Sequence, residues 1–182
     1  MTAIKAICKI VKAYHNSGTR DLKDIKWIVV HDTEGGSAAS VAAMFSRPSA
    51  SASTHLVVDQ VECIRMLDDR DIPWGAPGAN TNGYHIEHVG FAHWTRNEWL
   101  AHDTTLRRGA YKAALRCVRY GIPVRWVGPL GLRLGRRGLT THADVSKWQG
   151  TPGGHSDPGP NFPKDVYLAY VKEYVAEIKA GV

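Results

Sequence analysis

The chain reads as an α/β protein, and three observations carry that assignment. Short β-branched runs such as "IKWIVV" and "YHIEHVGF" are bounded by turn residues, as strands are. Residues 103–120 and 163–180 repeat apolar side chains at intervals of three and four, as amphipathic helices do. The two patterns alternate along the sequence without internal repeat or linker. Helices are therefore expected to pack on a sheet in a single domain, residues 1–182.

Taken in order, "IKWIVV" is a buried strand and "HDTEGG" ends it, which leaves His31 at the strand's C-terminal edge. "SAASVAAMFS" follows as a short helix, with Ser37 or Ser40 as its N-cap and Pro48 just beyond its end. "THLVVD" and "ECIRML", separated by "QV", form a hairpin or meander pair, and "DIPWGAPGANTNG" is a loop by its Pro and Gly content. In the strand that resumes, alternation places His85, Glu87 and Val89 on one face and Tyr84, Ile86 and His88 on the other. Leu106, Ala110, Ala113, Ala114, Cys117 and Val118 form the stripe of the clearest helix, which Gly121 stops. Pro163 stands near the start of the last helix. Residues 141–160, "THADVSKWQGTPGGHSDPGP", are so rich in Gly and Pro that a loop is expected throughout.

Hydrophobic residues make up 43% and charged residues 22% of the 182, a globular balance that excludes wholesale disorder. Cys8, Cys63 and Cys117 are odd in number and fit no CxxC pattern. They suggest neither a disulfide framework nor a thiolate zinc site, and are expected as small core residues in a reducing compartment. The N-terminal segment has lysines but no apolar run of signal-peptide length, and no run approaches the roughly 18 residues of a membrane span. Synthesis in the cytoplasm as a soluble monomer is expected, without membrane insertion. The net charge of +6 favours an anionic partner: nucleic acid, a membrane surface or an acidic polymer such as a bacterial wall. The densest basic segment, residues 125–138, has no nucleic-acid motif and reads as a solvated or a substrate-facing loop.

Residues 141–160 contain two histidines and two aspartates. Such residues cap turns in Gly/Pro-rich loops. His142 and Asp157 also pair with His31 to make three ligands of N and O type, which is what a catalytic zinc with one open position requires. Pro158 favours an extended backbone at Asp157, and Gly159 permits a turn after it. Spacing alone leaves both readings standing.

"WIVVHDTEGG", "STHLVVD", "DIPWGAPGANTNGYHIEHVG" and "TTHADVSKWQGTPGGHSDPGPNFP", in that order, resemble the zinc-dependent N-acetylmuramoyl-L-alanine amidases of type 2. That family includes phage lysins, a cytosolic muropeptide-recycling amidase and the peptidoglycan recognition proteins. The resemblance covers about residues 25–165, and its most specific elements are the strand-ending His with Thr two positions later and the terminal Asp-Pro-Gly. The Ala/Arg/Gly/Trp-rich character is similar to that of lysins from phages of actinobacteria.

The resemblance implies a central mixed sheet with flanking helices and a shallow cleft over the ligand-bearing strand ends. It also implies a zinc ion held by His31, His142 and Asp157, and hydrolysis of the amide between N-acetylmuramic acid and L-alanine in peptidoglycan. Glu87 falls where many of these amidases place an acid, implying that it orients or deprotonates the water. His155 stands where lysine is frequent, a departure; its imidazole can still hydrogen-bond the oxyanion or protonate the leaving amine.

Trp74 and Asn80 lie where the family contacts its muropeptide, and read as substrate contacts or as packing. His55 alternates with core residues and reads as structural or as support for the site. Trp94, Trp99 and Trp126 are core or rim aromatics, and His15, His93 and His102 are expected in solvent. A non-catalytic peptidoglycan-binding module and a zinc stem-peptide peptidase are the alternative readings. A lysin carried through the membrane by a separate phage pore and a cytosolic recycling enzyme both fit the absence of a signal peptide; the basic surface favours the polymeric wall.

Overall fold

The computed structural model describes residues 4–181; residues 1–3 and 182, the ends of the expected 1–182 span, lie outside the described residues. Lys9–Ile10 (β1) and Trp27–Asp32 (β2) precede the helix Ala38–Phe45 (α1). Leu56–Val58 (β3), Cys63–Arg65 (β4) and Gly83–His88 (β5) follow, then Arg96–Ala101 (α2), Asp103–Tyr120 (α3) and Pro129–Arg133 (α4). Gly138–Thr141 (β6), His142–Gln149 (α5) and Lys164–Lys179 (α6) complete the chain.

The six strands form one mixed sheet in the order β1-β4-β3-β5-β2-β6, in which only the β3–β4 hairpin pairs antiparallel. β2 and β5 are buried along their whole length, as central parallel strands covered on both faces must be. Ile28, Val30, Leu56, Tyr84 and Ile86 pack against the stripe of α3 and against Tyr167 and Val171 of α6. On the opposite face, Trp27 and Val29 meet Leu132 of α4 and Val145 of α5, and Val57 and Ile64 meet α1. Alternation along β2 and β5 thus sends His31, His85 and Glu87 to the α1/α5 side.

The expected elements form where their signals place them. Ser37 caps α1 and exchanges hydrogen bonds with Ser40 at the third helical position, so both candidate residues take part in one capping box. Gly121 ends α3 in the left-handed conformation. Among the described residues no helix is long and apolar enough to cross a membrane.

Three expectations are corrected. Residues 141–160 are not loop throughout, because their first half is α5: the Thr141 side chain accepts from Asp144 N, and the helix runs until Gly150 takes the left-handed cap. Gly and Pro crowd only the second half of the stretch. Cys8 and Cys63 form a disulfide across 55 positions, in place of the free core thiols expected. Lys9 pairs with Ile64 in the β1–β4 register, so the residues just before them stand side by side. Cys117 is the buried free thiol that was expected. Of the histidines expected in solvent, His93 is exposed, whereas His15 stacks on Trp74 and His102 on Trp94.

Candidate metal centre

Strand register assembles the site. His31 pairs with Glu87 across β2 and β5, and Val30 pairs with Thr141 across β2 and β6. The residue after Thr141 is His142, the first of α5, so His31 stands between Glu87 and His142. The Thr141 hydroxyl donates to Asp144 Oδ2 and turns the chain from strand into helix at that point.

Asp157 arrives from the following loop, anchored by a hydrogen bond from Ala143 N to its carbonyl, 3.0 Å. The Asp157–Pro158 peptide is cis. Gly159 has φ +88°, and a Cβ there would lie 1.9 Å from Ala92 O, so only glycine lets the loop close on the body of the protein.

His31 Nδ1 lies 3.0 Å from Asp157 Oδ2, and His142 Nδ1 lies 3.0 Å from Asp157 Oδ1. Single ligand atoms of His31, His142 and Asp157 fall within 4.8 Å of one another, close enough to share one ion. Glu87 Oε1 is 3.9 Å from His31 Nδ1, and its Oε2 is buried without a partner. The His155 ring stacks on His142 with centroids 3.9 Å apart, and its Nδ1 is 3.6 Å from Asp157 Oδ1. These five residues, with Phe45, line a cleft of about 340 Å³.

The donor set suits a divalent zinc. Burial holds the His31 imidazole below the usual histidine range, and therefore neutral, as a ligand must be. Burial alone would raise the Asp157 carboxyl, but hydrogen bonds from His142 and His31 outweigh it and hold the group well below the usual carboxylate range, ionised. Burial, with Asp157 and Asp32 nearby, pushes Glu87 well above its usual range. Burial and the neighbouring His142 lower His155.

Trp74 and Asn80 are not in the cleft lining. Asn80 Oδ1 accepts from Gly75 N and Ala76 N and so shapes its own loop. Trp74 is exposed at the surface, donating to Ser17 Oγ and stacked on His15. Trp99 is core, and Trp126 donates to Lys164 O. No residue of the basic segment 125–138 lines the cleft.

Two residues at the site escaped sequence reasoning. Asp32, just past His31, is pushed up to about 7 by burial, and its Oδ2 has no partner. His85 contacts His31 directly, Nδ1 to Nε2, at 3.0 Å. His55 lies behind it and accepts from His85 N, a structural support of the kind expected.

The family model of N-acetylmuramoyl-L-alanine amidase matches residues 21–160, and the chain belongs to that family. No curated protein sequence is significantly similar.

Among solved structures, Staphylococcus aureus hydrolase AmiA, in complex with its ligand, is similar at TM-score 0.76 and 18% identity, over 98% of this chain and 87% of that one. An AmpD derivative is similar at TM-score 0.64 and 18% identity, over 94% and 98%. A mutant endolysin from Bacillus subtilis is similar at TM-score 0.62 and 16% identity, over 91% and 99%. The mixed sheet with flanking helices is thus a fold shared with these three proteins.

Proposed function

We propose that the chain is a single catalytic domain, a zinc-dependent amidase that cleaves the bond between N-acetylmuramic acid and L-alanine of bacterial peptidoglycan, in phage-mediated lysis of the host. The observation that carries this reading is the convergence of His31, His142 and Asp157 on one point, with Glu87 beside it lining the cleft and its Oε2 without a partner. These three residues would hold the zinc ion, which when bound supplies an activated water and polarises the amide carbonyl.

Glu87 orients the attacking water and takes its proton; a carboxylate whose proton affinity is raised by burial suits that work. His155 sits at the exposed edge of the cleft, where it can hydrogen-bond the oxyanion or hand a proton to the leaving amine of L-alanine. Asn80 acts by shaping the loop ahead of β5, and Trp74 offers an exposed ring to the muropeptide beyond the cleft. The enzyme works as a monomer on the wall, without nucleic acid or membrane insertion.

Action on the wall, after release through a separate phage pore, fits the charge of +6, which draws the protein to an anionic polymer. The Cys8–Cys63 disulfide supports work outside a reducing cytoplasm, as a lysin does and a recycling enzyme does not. Mass spectrometry of digested peptidoglycan tests the reaction. Stem peptides with a free L-alanine amine are expected. Cuts within the peptide would mean a peptidase, new reducing sugars a glycosidase, and no product a binding module.

A further inference from the structure

We infer that in the metal-loaded site His85 is a positioning residue for His31: it accepts a hydrogen bond from His31 Nε2–H, so that the metal takes the place of the proton that His31 Nδ1 otherwise shares with Asp157. The inference rests on the zinc reading above and adds a residue that reading does not use.

Geometry assigns the two nitrogens of His31 to different tasks. Nδ1 faces Asp157 at 3.0 Å and Glu87 at 3.9 Å, whereas Nε2 faces His85 Nδ1 at 3.0 Å. A neutral imidazole carries one proton, so Nδ1 can be a ligand only in the tautomer protonated at Nε2. That proton then needs an acceptor in the buried interior, and the nearest group is the Nδ1 lone pair of His85. A ligating histidine that donates its second nitrogen to a fixed acceptor is held in both tautomer and orientation. Here the acceptor is itself an imidazole, fully buried and stacked on the His31 ring with centroids 5.1 Å apart.

The slot around His85 is built for this ring. A Cβ on Gly75 would come within 2.5 Å of His85 Nδ1, and one on Gly83 within 2.7 Å of His85 Nε2. Neither glycine has a positive φ, so lack of space excludes a side chain: at Gly75 the His85 ring fills it, and at Gly83 the ring does so together with Ala79 O and Val29. From behind, the His85 backbone N–H donates to His55 Nδ1 at 3.1 Å, and Gly83 O accepts from Arg20 Nη1 at 2.6 Å. His85 Nε2 is buried without a partner, so no competing acceptor or donor fixes the ring from that side.

Two measurements on the full chain test the inference. In the zinc-loaded wild type, long-range proton–nitrogen NMR should find His31 and His85 both protonated at Nε2. A proton on His85 Nδ1 overturns the inference, and this measurement needs no variant. Zinc affinity, read by competition with a chelator, should fall about 10- to 100-fold in His85→Leu, which has no acceptor. His85→Asn, whose amide oxygen sits where Nδ1 does, should stay within a few-fold of wild type. A folded His85→Leu that holds zinc with wild-type affinity overturns the inference alone. A wild-type protein that takes up no zinc overturns the metal centre and this inference with it.

Discussion

The two halves of the site are built differently. His31 and Glu87 stand on neighbouring central strands, and both are buried. His155 and Asp157 come from a Gly/Pro-rich loop, and the His155 side chain keeps 66% of its surface exposed. Strand-borne groups are fixed by register and cannot move without disturbing the sheet. The loop adds the buried ligand Asp157 and, in His155, an exposed group that can meet a polymer arriving from solvent. The buried groups, His31, Glu87 and the loop's Asp157, should therefore set whether the metal binds and the water is aimed, and the exposed His155 how well the leaving group is handled.

The largest expected effect removes a ligand. His31→Ala or Asp157→Ala should abolish both zinc content and turnover, read by elemental analysis and amide cleavage. A His31 variant with full zinc and a normal rate would break the comparison at its base. Next, Glu87→Gln should keep its zinc and lose about 10²- to 10⁴-fold in turnover, the scale of a positioned acid or base. A rate unchanged by this substitution would return Glu87 to a structural role.

His155 tests the other half. His155→Ala should leave zinc content and substrate affinity near wild type and lower turnover by about tenfold or more, with His155→Lys restoring part of the loss. If His155→Ala empties the zinc site, His155 is itself a ligand and the division between buried and exposed groups fails.

How much of this was legible depended on how local each signal was. His31 at the end of a strand, and Glu87 alternating with Ile86, follow from period two within single segments. The helix carrying His142 was hidden by the glycines that follow it, although the Thr141 cap lies at its start. Two links were out of reach because they depend on register between distant strands. One is the disulfide, set by a two-residue edge strand against β4; the other is the contact of His85 with His31, set by β5 against β2. β6 gave little signal because Leu139 is the one large aliphatic side chain in its four residues.

Two further tests leave turnover per folded molecule unchanged. The Cys8–Cys63 bridge lies at the β1 edge of the sheet, away from the ligand strands. Closing a loop across 55 positions contributes about 4 kcal/mol in the chain-entropy account. Cys8→Ser should lower the thermal midpoint while zinc content stays at wild type. A loss of zinc in the folded variant would tie the edge to the site.

The smallest effect is read in acid. The strand half leans on His88, whose Nδ1–H donates to His31 O at 3.1 Å and whose Nε2 accepts from the Tyr167 hydroxyl. Burial lowers His88 to about 4, below the ordinary value near 6.5. Between those values the unfolded chain binds a proton that the folded chain refuses, so stability is full above about pH 6.5 and falls as the pH drops toward 4. The total from this residue is about 3 kcal/mol. In the loop half Asp157 is held ionised to lower pH by its two histidines, and the exposed His155, also lowered, adds to the same decline. Urea midpoints of the metal-free protein should therefore decline across this window, and His88→Asn should flatten the slope. An unchanged slope in a folded His88→Asn would mean that acid acts elsewhere, and that the strand half does not depend on this neutral ring.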